Sequence, residues 1–120
     1  MSFTNIDIPN DSNIVLRFDT WWEIEAVNPN ANGFDKMYVQ VKTSDGVIHD
    51  IKKLNPFIDP HSEIGETRAT HPFSSSGYLR KANWVKHEYN LDMFAGQNIE
   101  VKFFFTTQDQ LYNGFRGWLI

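Results

Sequence analysis

The sequence predicts an all-β protein, a sandwich of two antiparallel sheets that forms a single domain over residues 1–120. Three observations lead to this fold class. Apolar side chains recur with a period of two in several short segments, turn-forming residues separate these segments, and helical spacing never lasts for more than about one turn. A length of 120 residues with 41% hydrophobic side chains suits one domain built around one core.

The first predicted strand runs from Ile14 to Glu25 and shows the alternation most clearly. Its two faces are distinct, which is typical of a half-buried strand. The inward set is Leu16, Phe18, Thr20, Trp22 and Ile24, and the outward set is Arg17, Asp19, Trp21, Glu23 and Glu25. The Asn-, Pro- and Gly-containing stretch from Val27 to Gly33 then predicts a loop.

A predicted hairpin follows this loop. Met37–Thr43 alternates with Val39 and Val41 inward, and Ser44-Asp45-Gly46 predicts a tight turn because Gly adopts positive φ without strain. Val47–Ile51 is the predicted returning strand. The segment after it, Asn55–Gly77, holds three of the five prolines and predicts a long loop.

Two more strands complete the predicted core. They are Val85–Leu91 and Asn98–Thr107, joined by a corner at Leu91–Gln97 in which Gly96 takes the tight turn. The residues predicted to lie between the sheets are Leu16, Phe18, Trp22, Val39, Val41, Val101, Phe103 and Phe105. The strand pattern by itself leaves jelly-roll and immunoglobulin-like topologies open.

Composition excludes several classes of function. The formal net charge is −4 with no basic run, so the electrostatic footprint of nucleic-acid binding is missing. No apolar run of about 18 residues is present, so we expect no membrane insertion. With no cysteine, neither a disulfide scaffold nor a thiolate zinc site can form. The segment that begins at Met1 has no signal-peptide pattern.

Six short motifs in one order resemble the MAM-like jelly-roll modules of secreted bacterial proteins, such as immune-inhibitor-A-like M6 metalloproteases and multidomain surface proteins. The motifs are TWWEIE (Thr20–Glu25), FDKMYV (Phe34–Val39), LNP (Leu54–Pro56), SSSGY (Ser74–Tyr78), NLDMFAGQ (Asn90–Gln97) and YNGFRGW (Tyr112–Trp118). The resemblance covers nearly the whole chain, although no single motif is specific.

The resemblance implies a jelly-roll sandwich of the concanavalin or galactose-binding kind, which serves as an extracellular accessory to neighbouring domains of a parent protein. It also implies a secreted or cell-surface location and a bound calcium ion. Family members continue beyond the Gly-Trp pair with two apolar residues and Asp-Asp, whereas this sequence ends at Gly117-Trp118-Leu119-Ile120. We therefore expect a domain excised from a longer chain that lacks its last few residues.

Four acids within or beside these motifs are candidate calcium ligands: Glu23, Glu25, Asp35 and Asp109. Ca²⁺ prefers several hard oxygen ligands from carboxylates and carbonyls, and Glu23 and Glu25 share one face of their strand. Two alternatives stay open. The four acids can be solvated surface residues, one of them paired with Arg116, or two of them can form the carboxylate pair of a small glycan-acting hydrolase.

Three outward aromatic residues, Trp21, Tyr38 and Phe104, are the candidate ligand-binding residues. Aromatic rings among polar neighbours are typical of a carbohydrate-binding surface. The long loop or the N-terminal segment can instead bury them, or the surface can contact a neighbouring domain.

The sequence favours a non-catalytic binding or structural module over an enzyme. The four histidines are scattered without metal-ligand spacing, and Ser74-Ser75-Ser76 lacks the strand–turn–helix context of a catalytic serine. No nucleophile and base are paired by spacing. The YNGFRGW motif is interpreted as a structural lock between the last two strands, with Arg116 paired to an acid and its stem against a ring.

Overall fold

The computed structural model describes residues 1–11, 13–25, 35–53, 72–107 and 115–120. Nine strands lie within these residues: β1 (Ser2–Asp7), β2 (Val15–Glu25), β3 (Lys36–Thr43), β4 (Ile48–Lys53), β5 (Pro72–Ser74), β6 (Gly77–Tyr78), β7 (Val85–Asn90), β8 (Asn98–Thr106) and β9 (Gly117–Leu119). A short 3₁₀ helix, Asp92–Phe94, turns the chain from β7 into β8. In this part of the chain no helix is long and apolar enough to cross a membrane.

The strands form two sheets, and every described pairing is antiparallel. One sheet has four strands in the order β1-β8-β3-β4. The other has five strands, with β6 pairing β5 and with β5, β7 and β9 all pairing β2. The predicted two-sheet antiparallel sandwich is therefore confirmed, and its finer jelly-roll topology stays a prediction.

Strand β2 organises the five-stranded sheet through both of its edges. The carbonyl of Ile14, just before β2, accepts from Leu91 N, and the carbonyl of Trp22 accepts from Ser75 N. Even-numbered positions along β2 therefore face β7 and β5 on one edge. The hydroxyl of Ser75 also donates to the Asn83 carbonyl, which brings the end of β5 to the start of β7. Strand β9 must then lie on the opposite edge, because it shares Glu23 of β2 with β5.

The core lies between the sheets and is mostly one cluster. Phe103 of the four-stranded sheet meets Phe18 of the five-stranded sheet edge-to-face, with 4.9 Å between ring centroids. The buried members of this cluster are Ile8, Val39, Val41, Leu91, Phe94, Ile99, Val101 and Phe103, and a smaller cluster contains Trp22, Ile24 and Met37. All eight predicted core residues lie on the inner faces; Leu16, Phe18 and Phe105 among them are half-buried.

The predicted hairpin turn and the predicted corner are both confirmed. Gly46, at φ +87°, donates its N–H to the Thr43 carbonyl and lets β3 turn into β4. The Thr43 hydroxyl donates to the Asp45 carboxylate, and this bond holds the pKa of Asp45 below its usual value. Gly96, at φ +73°, performs the second turn as expected.

Two expectations from the sequence need correction, and both concern strands that the alternation did not predict. The segment predicted as a loop as far as Gly77 contains strands β5 and β6, which pair through Phe73 and Tyr78. These strands are three and two residues long, too short to show a period of two. Strand β1 was not predicted, because a shift of register between Phe3 and Ile6 interrupts its alternation.

Candidate functional site

The candidate acids lie at the end of the sandwich where β2 finishes and β3 begins. In the four-stranded sheet Lys36 pairs with Thr106, and in the five-stranded sheet Glu25 pairs with Pro72. A hydrogen bond between Glu25 and Asp35 places these strand ends of the two sheets at the same end of the sandwich. Asp35 directly precedes β3, and Glu25 is the last residue of β2. Three of the four predicted ligands, Glu23, Glu25 and Asp35, are therefore close to this end, and Asp109 lies outside the described residues.

Glu25 and Asp35 are brought together by a link between the two sheets. The backbone N–H of Glu25 donates to Asp35 Oδ2 at 2.9 Å. Only 1% of Glu25 and 3% of Asp35 is exposed, so the alternative that these two are solvated surface acids is wrong. Because burying a carboxylate is costly unless it is hydrogen-bonded or paired, this pair ties the end of β2 to the start of β3.

Glu23 has a different environment from its neighbour Glu25. Its Oε1 lies 3.4 Å from Arg116 Nε, and the Arg116 guanidinium lies over the Trp21 ring at 5.6 Å from the centroid. The predicted pairing of Arg116 with an acid is confirmed, although its guanidinium and not its stem lies over the ring. Glu23 therefore already faces one cation, which makes it a weaker candidate than Glu25 or Asp35 for holding a second.

The described residues fit calcium chemistry only in part. Glu25 and Asp35 are buried acids joined through the Glu25 backbone N–H, and carboxylate oxygens are ligands that Ca²⁺ prefers. Within the described part of the chain, however, no three side chains of His, Cys, Asp or Glu are grouped so that they could hold a metal ion. A calcium site here would need further oxygens from elsewhere, and calcium binding stays a prediction.

Tyr38 and Phe104 form the exposed aromatic surface of the four-stranded sheet. They are cross-strand partners on β3 and β8, with ring centroids 6.2 Å apart and ring planes tilted by 37°. Phe104 is 39% exposed, and Lys102 Nζ lies 5.2 Å from the centroid of its ring. Gln40, opposite Lys102, donates to Asp50 Oδ1 at 2.8 Å. The result is two neighbouring rings bordered by polar side chains.

Trp21 does not belong to this surface, so the prediction of one aromatic set is corrected. Trp21 projects from the outer face of the five-stranded sheet, beside Leu119 of β9 and beneath Arg116. Tyr38 and Phe104 lie on the opposite side of the molecule. Alternation distinguishes inward from outward positions, but it does not tell which of two sheets a strand joins.

The N-terminal segment does not bury the Tyr38–Phe104 surface. Strand β1 pairs with β8 as the edge strand of the same sheet, so it lies beside Phe104 and not over it. The other predicted cover, residues 55–71 of the long loop, lies outside the described residues.

The sequence predicted a lock between the last two strands, but the structure pairs β9 with β2, and the central residue, Thr20 of β2, was not foreseen. Trp118 Nε1 donates to Thr20 Oγ1 at 2.6 Å, and Thr20 Oγ1 donates to the Leu119 carbonyl at 2.9 Å. Thr20 is fully buried. The sequence did contain a signal for this contact, because Thr20 lies among the apolar inward residues of β2. A buried hydroxyl needs a hydrogen-bond partner.

Sequence reasoning also missed an apolar cleft at the open side of the sandwich. Its volume is about 440 Å³, and it lies between β1 of one sheet and β2 of the other. The apolar lining residues are Phe3, Ile6, Leu16, Phe18, Val101, Phe103 and Ile120. The cleft could not be predicted because β1, which forms one wall, was not recognised as a strand.

Comparison with known proteins adds no assignment. No protein-family model matches this chain, and a search of curated proteins finds no significant match.

Proposed function

We propose that this domain is a non-catalytic carbohydrate-binding module whose binding surface is the pair Tyr38 and Phe104 on the outer face of the four-stranded sheet. The observation that carries the proposal is the exposed pairing of two aromatic rings across neighbouring strands. In line with the resemblance, the module has a jelly-roll fold and acts outside the cell as an accessory to a larger protein.

The chemistry around the two rings suits a sugar chain. A sugar ring has apolar C–H faces that stack on aromatic rings and hydroxyl groups around its rim that need hydrogen-bond partners. Tyr38 supplies a ring and a hydroxyl, and Lys102, Gln40 and Asp50 supply donors and acceptors at the border. The rings sit on strands in the middle of the sheet, which gives the surface a rigid support.

The acids support binding in preference to hydrolysis. A glycosidase needs two carboxyl groups that face a common cleft, one of them able to donate a proton. Glu23 lies beside Arg116, and the Asp35 carboxylate accepts the backbone N–H of Glu25 between the sheets. These contacts give structural roles to the acids that would otherwise be candidates for catalysis.

We further propose that calcium stabilises the end of the sandwich at Glu25 and Asp35. The support is the burial of two acids where β2 ends and β3 begins, with the Asp35 carboxylate accepting the backbone N–H of Glu25. A bound Ca²⁺ would supply positive charge that offsets the desolvation of these acids.

A glycan array tests the binding proposal. The wild-type domain should bind a restricted group of glycans. A variant that combines Tyr38→Ala and Phe104→Ala should no longer bind them. The circular dichroism spectrum of the double variant should match the wild type, since both side chains lie outside the core. If the wild type binds no glycan at millimolar concentrations, or the double variant binds as well as the wild type, the proposal is wrong.

A further inference from the structure

A polar cavity lies on the same outer face as the Tyr38–Phe104 surface. Its volume is about 260 Å³, and three neighbouring strands, β1, β8 and β3, form its walls. Its lining includes the outward Lys42 and Glu100, which pair across β3 and β8, so the cavity lies outside the core. The exposed polar residues that also line it are Thr4, Asn5, Ser44 and Asn98.

An irregularity of β1 forms one wall of this cavity. At its shift of register, two residues of β1, Thr4 and Asn5, lie opposite the single residue Glu100 of β8. An extra residue of this kind is a β-bulge, which bends the strand and leaves a residue outside the ladder of hydrogen bonds. Asn5 has φ +55°, a left-handed conformation that is uncommon for a residue other than glycine. The bulge therefore turns polar groups of β1 toward the cavity, where a ligand can reach them.

The cavity and the aromatic pair lie in one row along the sheet. Three successive cross-strand pairs of β3 and β8 face outward: Tyr38 with Phe104, Gln40 with Lys102, and Lys42 with Glu100. At about 3.4 Å per residue, the row from Tyr38 to Lys42 is about 14 Å long. This is longer than a disaccharide. A sugar chain that stacks on the two rings and continues straight along the strands therefore reaches the cavity.

The two ends of the row offer different chemistry to a sugar chain. The rings suit its C–H faces, whereas no aromatic side chain is among the described residues that line the cavity. The cavity offers hydrogen bonds instead, with Lys42 as donor, Glu100 as acceptor and the Asn5 amide as both. Neither Lys42 nor Glu100 makes an ion pair or a side-chain hydrogen bond with another described residue. Both side chains are available to the hydroxyl groups of a sugar.

The charges along the row favour an uncharged chain. Lys42 and Lys102 are balanced by Glu100 and by Asp50, which accepts a hydrogen bond from Gln40 beside the row. A face with balanced charges offers no net attraction to an anionic ligand. The straight course of two neighbouring strands also suits an extended chain better than a coiled one.

We propose that the row binds a neutral, extended β-1,4-linked oligosaccharide of at least three sugar units, which lies along β3 and β8. This inference rests on the proposed carbohydrate binding and names the ligand class of that surface. One end of the chain stacks on Tyr38 and Phe104, and the other end hydrogen-bonds to Lys42, Glu100 and Asn5. The rings hold the chain, and the cavity makes the binding depend on chain length.

The test compares disaccharides and tetrasaccharides of the cello-, xylo- and manno-oligosaccharide series by calorimetric titration of the wild-type domain. In at least one series the tetrasaccharide should bind about tenfold more tightly than the disaccharide, because only the longer chain gains hydrogen bonds to the charged groups of the cavity. Tetramannuronate, the acidic counterpart of mannotetraose, should bind no more tightly than mannotetraose.

Two double variants locate the effect. Lys42→Ala/Glu100→Ala should lower the affinity for the tetrasaccharide to that of the disaccharide and leave the affinity for the disaccharide unchanged. The matched control is Asp19→Ala/Lys86→Ala, an exposed cross-strand pair of opposite charges on the five-stranded sheet, which should retain both affinities. Circular dichroism checks that both variants are folded.

The inference is overturned if no tetrasaccharide binds more tightly than its disaccharide, if Lys42→Ala/Glu100→Ala keeps the preference for the longer chain, or if tetramannuronate binds more tightly than mannotetraose. In these cases, loss of all binding in Tyr38→Ala/Phe104→Ala would leave the proposed function standing. Absence of binding in all three series also overturns the inference, and the glycan array, which contains other glycans, then decides the proposed function separately.

Discussion

The two outer faces of this sandwich carry aromatic residues in contrasting states. On the five-stranded sheet, Arg116 lies over the Trp21 ring and pairs with Glu23, so the chain's own cation covers the aromatic residue. On the four-stranded sheet, Tyr38 and Phe104 contact each other, and part of the Phe104 ring remains open to solvent. The same outward position in the sequence pattern thus leads to a structural contact on one face and a candidate binding surface on the other.

The largest expected effect is the loss of stability in Phe103→Ala. It tests the assignment of Phe103 to the core and of Phe104 to the outer face of β8. Phe103, its neighbour in β8, contacts Phe18 and Trp118 of the opposite sheet. Phe103→Ala should lower the free energy of unfolding by about 3 to 5 kcal/mol, because it leaves a cavity between the sheets. Lys102→Ala on the outer face should cost under about 1 kcal/mol. Urea unfolding measures both, and similar losses would mean that the alternation in β8 is misassigned.

The next largest effect on stability is expected from calcium at the end of the sandwich that contains Glu25 and Asp35. If the site at Glu25 and Asp35 binds calcium, a concentration 100 times the dissociation constant raises the free energy of unfolding by about 2.7 kcal/mol. Thermal unfolding of chelator-treated protein with and without millimolar calcium measures this.

Two variants make the calcium experiment specific. Asp35→Asn should abolish the calcium-dependent rise in melting temperature, whereas Asp50→Asn, an exposed acid on β4, should retain it. An unchanged melting temperature of the wild-type domain on adding calcium would rule out the proposed ion.

A smaller effect is expected from the covered ring on the five-stranded sheet. A cation over an exposed ring contributes about 0.5 to 1 kcal/mol. A double-mutant cycle of Trp21→Ala and Arg116→Ala should therefore give a coupling energy of that size in urea unfolding. Coupling near zero would show that Arg116 does not hold the ring, and the contrast between the two faces would then lose its physical basis.

The smallest expected effect lies away from both aromatic faces, at the corner after β7. Hydrogen bonds from Asn90 and from the Ile14 N–H hold the pKa of Asp92 below its usual value. A depressed folded-state pKa contributes stability above the unfolded-state pKa, and this contribution is lost as the pH falls through the folded-state pKa.

Asp92→Asn should therefore be less stable than the wild type at neutral pH, and the difference should shrink below about pH 4. Urea unfolding from pH 7 to pH 3 measures the difference. A constant gap between the two proteins over this range would contradict the assignment to the Asp92 charge.

Local patterns in the sequence predict much of this fold. Alternation in β2, β3 and β8 correctly separates inward Trp22, Val39 and Val101 from their outward neighbours, because a half-buried strand repeats every two residues. The turns at Gly46 and Gly96 follow from the need for positive φ. Strands shorter than four residues carry no such period, so β5 and β9 could not be recognised.

The candidate sites depend on how strands assemble, and the sequence pattern does not contain that information. Trp21 and Phe104 have the same outward position, yet they belong to different sheets. Glu25 follows the outward pattern of β2 but is buried, because Asp35 reaches its backbone from the start of β3. Each outcome follows from a contact between residues that are distant in space until both sheets have formed.

The most direct test of the account is a calorimetric titration of one bound glycan against three proteins: the wild type, Tyr38→Ala/Phe104→Ala and Trp21→Ala. All three should be folded by circular dichroism, since none of these side chains lies in the core. The account predicts that the double variant loses binding, while Trp21→Ala retains the wild-type affinity within about twofold. Loss of binding in Trp21→Ala with retention in the double variant would contradict the account and move the binding surface to the other sheet.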